Sequence, residues 1–357
     1  MTVLRDFHAD YGATFTERGG RELPADYGRP ERTHRAVRNV VGVTEAAYGV
    51  LSISGDDRLD FVDDVVSNRV PADDGEGCYA LLLDPQARIR TDMYVFNAGD
   101  RLLVFTPPET VTEVAEEWRE NVFIEDVEIT NITDDFAVFS VHGPKSTEKV
   151  ASVMNGGSPP DSQLAFDRGR MDDEGVTVIR TDGLAGEEGY NVVCAADGAE
   201  PVFDTLITRG LNAAPFGRTV WEALTLEAGT PLFESELRDR VPNVCGLRNA
   251  LDFEKGCYVG QEIVSKVENR GRPSGRLVGL RLPEDAEADA GATVEADGDE
   301  VGELTRVQYS PMLETDLAFA EVDYAAEGPF TVDGDSVEHD SLPFVEGSDR
   351  SARIPEY

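Results

Sequence analysis

The period of the apolar residues changes near residue 277, and this change constrains the fold more than any other feature of the chain. Up to about residue 272, short apolar runs such as Cys78-Tyr79-Ala80-Leu81-Leu82-Leu83 are interleaved with segments spaced like Leu59, Phe61, Val62, Val65 and Val66. A period of two sets one face of a strand against a core, and a period near 3.6 does the same for a helix. From Leu277 onward only strands remain: Leu277 to Leu282, Val301 to Gln308, Leu317 to Val322 and Pro329 to Val332, separated by turns such as Gly298-Asp299. Strands mixed with helices, followed by strands alone, predict α+β layers ahead of a small C-terminal β-barrel. The barrel is expected over residues 275–345, with 346–357 as a polar, loose tail.

Within the first part, residues 1–40 predict an irregular entry followed by a short helix, and Val40 to Ile53 alternates as one strand. Asp84-Pro85-Gln86 and Asn97-Ala98-Gly99-Asp100 are turns between strands. Helices are predicted over 112–120, 145–153, 202–209 and 219–228. Asp92 shares the strand Ile89 to Phe96 with apolar Ile89, Met93 and Val95, so it faces either a pocket or solvent.

The octet Lys255-Gly256-Cys257-Tyr258-Val259-Gly260-Gln261-Glu262 places a thiol between two glycines and beside a cation. Two glycines four apart predict a tight loop. Ile263, Val264 and Val267 continue it as a helix. A thiol near a helix start feels the positive end of the dipole, which favours the nucleophilic thiolate. A small buried hydrophobe is the plain alternative for Cys257.

Charge narrows the function classes. Against 70 Asp and Glu stand 32 Lys and Arg, a formal net charge of −38, and only Lys145, Lys149, Lys255 and Lys266 are lysines. Such a surface repels itself in dilute buffer and is screened in molar salt, where the Debye length is about 3 Å. The composition predicts a cytoplasmic protein of a high-salt interior. It argues against nucleic-acid partners and anionic membranes, both of which need cationic patches. No apolar run long enough to span a bilayer occurs, and Met1 to Asp10 has no apolar signal core. Cys78, Cys194, Cys245 and Cys257 form no Cys-x-x-Cys pair, and His8, His34, His142 and His339 are scattered, so no metal site is predicted.

The octet resembles the signature of the YgfZ-type folate-binding family, which is related to the aminomethyltransferase (T-protein) of the glycine cleavage system. Three further segments fit that relationship. Ile89-Arg90-Thr91-Asp92 resembles the family's aspartate-bearing strand, with Tyr79 thirteen positions earlier. Gly186, Glu187, Gly189 and Tyr190 match a glycine-rich hairpin, although Asn191 stands where a glutamate reads the pterin ring. Trp221 to Pro231 resembles a helix end in which Thr225 replaces an arginine.

The resemblance implies a three-lobed, aminomethyltransferase-like α+β fold around a central channel for tetrahydrofolate. Its lobes would be residues 1–47 with 141–232, residues 48–140 with 233–272, and the barrel. It assigns catalytic roles to Cys257 and Asp92, and cofactor contacts to Tyr79, Asp92, Tyr190, Asn191 and Lys255. Arg270, in the cationic turn Asn269-Arg270-Gly271-Arg272-Pro273, becomes a candidate anchor for folate's glutamate carboxylates, against the plain reading of a linker turn. The implied function is support of iron–sulfur enzyme synthesis or repair, with folate and iron–sulfur enzymes or assembly proteins as partners. The alternatives are an aminomethyltransferase that meets a lipoyl carrier protein, and a folate-binding module without turnover.

Overall fold

The computed structural model describes residues 2–284, 286 and 288–357, apart from the side chain of Arg270. Two antiparallel-rich sheets face each other, and each is backed by helices on its outer side. The first sheet has the spatial order Phe166–Met171, Glu174–Arg180, Gly189–Ala195, Phe136–His142, Gly42–Glu45 and Ala214–Pro215. Its outer face carries Val43, Phe139, Val141 and Val192, which pack on Val150 and Val153 of helix Ser146–Val153 and on Val202, Phe203 and Leu206 of helix Ala199–Thr208. The second sheet runs Gly77–Leu83, Ile89–Asn97, Arg101–Thr106, Gly49–Ser54 and Glu128–Asn131. Helices Arg58–Val65 and Val111–Asn121 cover its outer face, with Phe61 and Trp118 in an edge-to-face contact.

The inner faces of both sheets contribute to one aromatic-rich core containing Tyr79, Tyr94, Phe96, Phe105, Phe166 and Ile179. The third lobe is a closed six-stranded barrel that starts at Gly275–Arg281 and ends at Asp335–Asp340. The strand-only period beyond residue 277 therefore does close into the predicted barrel.

Three expectations need correction. The strand predicted from Val40 to Ile53 is two strands in different sheets, because Ala46, Ala47 and Tyr48 cross between lobes and Tyr48 packs edge-on against Tyr94 and Phe105. The lobe boundary placed between 140 and 141 falls inside strand Phe136–His142, which belongs wholly to the first sheet. The entry segment is not irregular throughout, since Thr14–Arg18 and Arg21–Asp26 form a hairpin.

The tail is not loose either. Ser351, Arg353 and Ile354 are buried, and the backbone bonds Ala352 N–H to the Asp182 carbonyl and Glu356 N–H to the Gly246 carbonyl. Its polar composition misleads because the partners for its polar groups are supplied by distant acids.

One such junction joins the first lobe to the barrel and the tail. Arg38 donates to Glu227 at 2.7 and 2.9 Å and to Glu187 at 3.0 Å, all three side chains being buried. His34 Nε2 lies 3.0 Å from Glu227, and Ser310 of the barrel donates to Glu227 at 2.6 Å. Glu187 also accepts from the backbone N–H of Ser348 in the tail, at 3.0 Å. Burial alone would raise the Glu227 carboxyl, but hydrogen bonds and charge from His34 and Arg38 outweigh it and hold it below the ordinary carboxylate range. A depressed folded value means that this stability is present above the unfolded value of about 4.3 and is lost as pH falls through the folded one. Glu227→Gln should therefore destabilise the protein at pH 7, and urea titrations should show the gap from wild type closing below pH ~4.

The net charge of −38 gives a second expectation. The melting temperature should rise steadily between 0.1 and 2 M KCl as self-repulsion is screened, measured by calorimetry.

Candidate functional site

Where the two sheets diverge they leave a chamber of about 1120 Å³, counted out to its mouth. Thr44, Ser140 and Asn191 stand side by side across the first sheet and line one wall. Ser140 donates to the Asn191 carboxamide at 2.6 Å. Asp92, Tyr94, Phe96 and Phe105 of the second sheet line the facing wall. Leu23 and Pro24 of the N-terminal hairpin, with Arg218 and Trp221 of helix Arg218–Glu227, complete the lining.

The chamber's most concentrated chemistry lies at Asp92. Alternation along the strand sends Met93 and Val95 to the outer core and Asp92, Tyr94 and Phe96 inward. Arg353 of the tail donates to Asp92 Oδ2 at 2.9 Å, and its Nε lies 3.5 Å from Asp182 Oδ2. Its guanidinium lies 3.8 Å above the Tyr79 ring and also donates to the Tyr94 hydroxyl. Tyr79 donates to the same Asp92 Oδ2 at 2.9 Å, and Tyr94 to Asp182 at 2.8 Å. Burial pushes both tyrosines well above their ordinary pKa, so they act as hydrogen-bond donors. Both bonds to Asp92 fall on Oδ2, which leaves Oδ1 without a protein donor among the described residues. One guanidinium against two carboxylates makes this region net acidic, suited to an amine or ring N–H.

The remaining candidate residues scatter. Tyr79 is buried beneath Asp92 and orients it without lining the chamber. Tyr190 lies on the opposite face of the first sheet, because its strand neighbour Asn191 faces inward; its hydroxyl meets Thr147 and Arg180. Lys255 is no ligand contact. Its buried ammonium donates to the carbonyls of Asp63, Val66 and Asn68 and lies 3.4 Å from the Asp63 carboxylate, capping helix Arg58–Val65. The side chain of Arg270 lies outside the described residues; its backbone ends helix Gln261–Arg270.

The octet does form a loop entering that helix, but only one of its glycines is obligatory. Gly260 has φ +84°, and a Cβ there would stand 2.9 Å from the Ala87 Cα; at Gly256 a Cβ would meet nothing within 4 Å. Tyr258 and Val264 enter the inter-sheet core, so the octet clamps the second lobe. Cys257 is exposed, outside the chamber lining, near in sequence to exposed Phe253, Val259 and Ile263. Cys257 and Asp92, both given catalytic roles by the resemblance, are therefore not brought together in one cavity. Burial pushes the Cys78 and Cys194 thiols up to about 12, and raises Cys245 further. A thiol-specific reagent on the native protein should modify one cysteine per chain, and Cys257→Ala should abolish that reaction.

Arg353, Asp182 and the Arg38 junction were not foreseen. Asp182 had a faint signal, since it opens the glycine-rich hairpin after a strand. Arg353 had none, because a single arginine in a polar tail looks solvated.

Two α+β lobes facing across a chamber, with a closed barrel as third lobe, define the aminomethyltransferase class of folds. The model of the GCVT N-terminal domain matches residues 4–255, and that of the glycine cleavage T-protein C-terminal barrel domain matches residues 276–341. The chain belongs to this GCVT family. It is similar to a probable aminomethyltransferase of Natronomonas pharaonis, 30% identical over 96% of this chain and 98% of the relative. The aminomethyltransferase of Bacillus subtilis (strain 168) is 28% identical, with 90% of each chain covered. The crystal structure of the glycine cleavage system aminomethyltransferase T from Bartonella henselae superposes with a TM-score of 0.85 over 98% of both chains at 20% identity, which establishes the shared fold.

Proposed function

We propose that the chamber binds tetrahydrofolate and that the protein acts as a YgfZ-like folate-binding protein supporting iron–sulfur enzymes. The observation that carries the folate reading is Asp92: a buried carboxylate with one oxygen open, at the wall of a chamber whose facing wall presents Asn191. A carboxylate there accepts a ring N–H or offsets charge on an amine. The octet and its exposed thiol support the iron–sulfur reading. In it Cys257 works at the outer surface, where a partner protein reaches it, and the folate sits apart.

The second reading, aminomethyl transfer from a lipoyl carrier to tetrahydrofolate, is favoured by the same Asp92. Against it, Asn191 and Thr225 stand where the family's charged contacts are expected. The Thr225 hydroxyl here accepts from Arg306 of the barrel at 3.0 Å.

Trp221 lines the chamber, while Trp118 is buried in the outer core of the second lobe, so Trp118→Phe leaves one local reporter. Its fluorescence should change saturably as tetrahydrofolate is added in molar KCl, and a flat titration would overturn the folate reading. Formation of methylenetetrahydrofolate from an aminomethylated lipoyl carrier would replace the first reading with the second. Loss of aconitase-type activity in a deletion strain rescued only by the Cys257→Ala variant's parent would support the first.

A further inference from the structure

We propose that the loop apex Phe123-Ile124 is a self-association element that seats in an apolar pocket of a second copy of this chain. Phe123 is 84% and Ile124 94% exposed, and no other large apolar residue among the described residues exceeds 47%. The exposure is built into the loop, which follows helix Val111–Asn121. Glu125 Oε2 accepts from the backbone N–H of both residues at 3.0 Å, and Asp126 N–H donates to Asp57 at 2.7 Å. An adjacent apolar pair held this bare carries a hydration cost that a partner surface removes.

The chain also carries a complementary pocket. It measures about 940 Å³, counted out to its mouth, and shares Phe96, Phe105 and Ile179 with the lining of the chamber. Phe136, Phe166 and Val193 make it apolar, and Arg168 is its one charged lining side chain among the described residues. Arg168 lies over the Phe166 ring and pairs with Asp74 at 2.8 Å, both side chains half-exposed, so that pair is readily exchanged. The loop has the opposite character, because exposed Glu120, Glu125 and Asp126 flank its apolar apex. An apolar knob with an acidic rim fits an apolar pocket with a cationic one. In a chain where acids outnumber bases 70 to 32, a pocket lined by a cation and no carboxylate is a selective receptor for that loop.

The placement of knob and pocket makes the occupant a second copy. Arg58 donates to the carbonyls of Gly55 and Gly99 at 2.9 and 2.6 Å. Gly55 packs against the Asp126 carbonyl at the base of the loop, and Gly99 shares a turn with Ala98, which lines the pocket. Both features therefore stand at one end of the second lobe. A twofold axis there sets each knob before the other copy's pocket, so the contact closes as a dimer. Within one chain the loop is tethered to Asp57, and neither Phe123 nor Ile124 lines its own pocket. Two knobs and two pockets bury roughly 1,000 Å², the low end for specific contacts, which suits a reversible dimer with a dissociation constant on the order of 10–100 µM. The contact does not depend on the folate reading.

Sedimentation velocity of the full chain tests this, from about 2 to 200 µM in about 2 M KCl, where repulsion between the acidic copies is screened. A concentration-dependent shift from monomer to dimer is expected. The double variant Phe123→Ser, Ile124→Ser changes two exposed residues outside every core, and Arg168→Glu changes an exposed one. Each should weaken the dimer at least about tenfold. Cross-linking reads the seating. Ile124→Cys and Thr177→Cys, each in a Cys257→Ala background, are mixed and treated with a short bismaleimide, Thr177 being a half-buried residue of the pocket. The expected product is a covalent pair that joins one variant to the other. A chain that stays monomeric at about 200 µM, or a dimer that survives the double serine variant, overturns the proposal. A dimer that the double variant abolishes but that gives no mixed cross-link overturns the seating of the loop in this pocket.

Discussion

Arg353→Leu is expected to lower stability by about 3–5 kcal/mol, because it leaves two buried carboxylates without their common cation. Asp92 and Asp182 are 6% and 1% exposed, and Arg353 holds one at 2.9 Å and the other at 3.5 Å. The same change removes the guanidinium from the faces of Tyr79 and Tyr94. Replacing all members together is much milder in such clusters, since no charge is then stranded. The triple variant Arg353→Leu, Asp92→Asn, Asp182→Asn should therefore recover a large part of the loss. Urea unfolding in 2 M KCl measures both. A loss below about 1 kcal/mol would mean that the tail only rests on the chamber.

Arg38→Met should cost a similar amount, about 3–5 kcal/mol, by a different route. Arg38 bonds Glu227 through two nitrogens and Glu187 through a third, and it also donates to the carbonyls of Ala185 and Leu224. Losing it leaves two buried carboxylates that the barrel and tail also use, through Ser310 and Ser348. Arg38→Lys should rescue little, because one ammonium cannot span a fork of five donors. Limited proteolysis gives an independent readout: the tail, held at Glu187, should become cleavable in Arg38→Met and not in wild type. An intact tail with unchanged stability would place the junction outside the forces that hold the lobes together.

The lobes were legible where a local rule governs them. The two-residue period after Leu277 closes a barrel, and the helices near 112–120, 145–153 and 219–228 appear within a residue or two at each end. The inward position of Asp92 was legible because its strand neighbours Met93 and Val95 face a different core. The failures share a cause, which is that long-range partners leave no local trace. Lys255 looked free beside the octet, yet its ammonium ends a helix nearly two hundred residues earlier. Arg353 looked solvated and is the cation that holds Asp92 and Asp182. Tyr190 and Asn191 were read together as ligand contacts, although adjacent strand residues point to opposite faces. Cys257 drew attention through its glycines, but Gly260 serves the approach of the loop to Ala87, and a Cβ at Gly256 would meet nothing within 4 Å.

The central claim is that the space between the sheets is a reduced-folate site with Asp92 at its wall. The most direct measurement is a crystal structure grown in high KCl with tetrahydrofolate. The account predicts the pterin ring between the two sheets, with a ring or exocyclic nitrogen within hydrogen-bonding distance of Asp92 Oδ1. A ligand bound only at the outer surface near Cys257, with Arg353 and Asp92 undisturbed and the chamber filled by solvent, would contradict it.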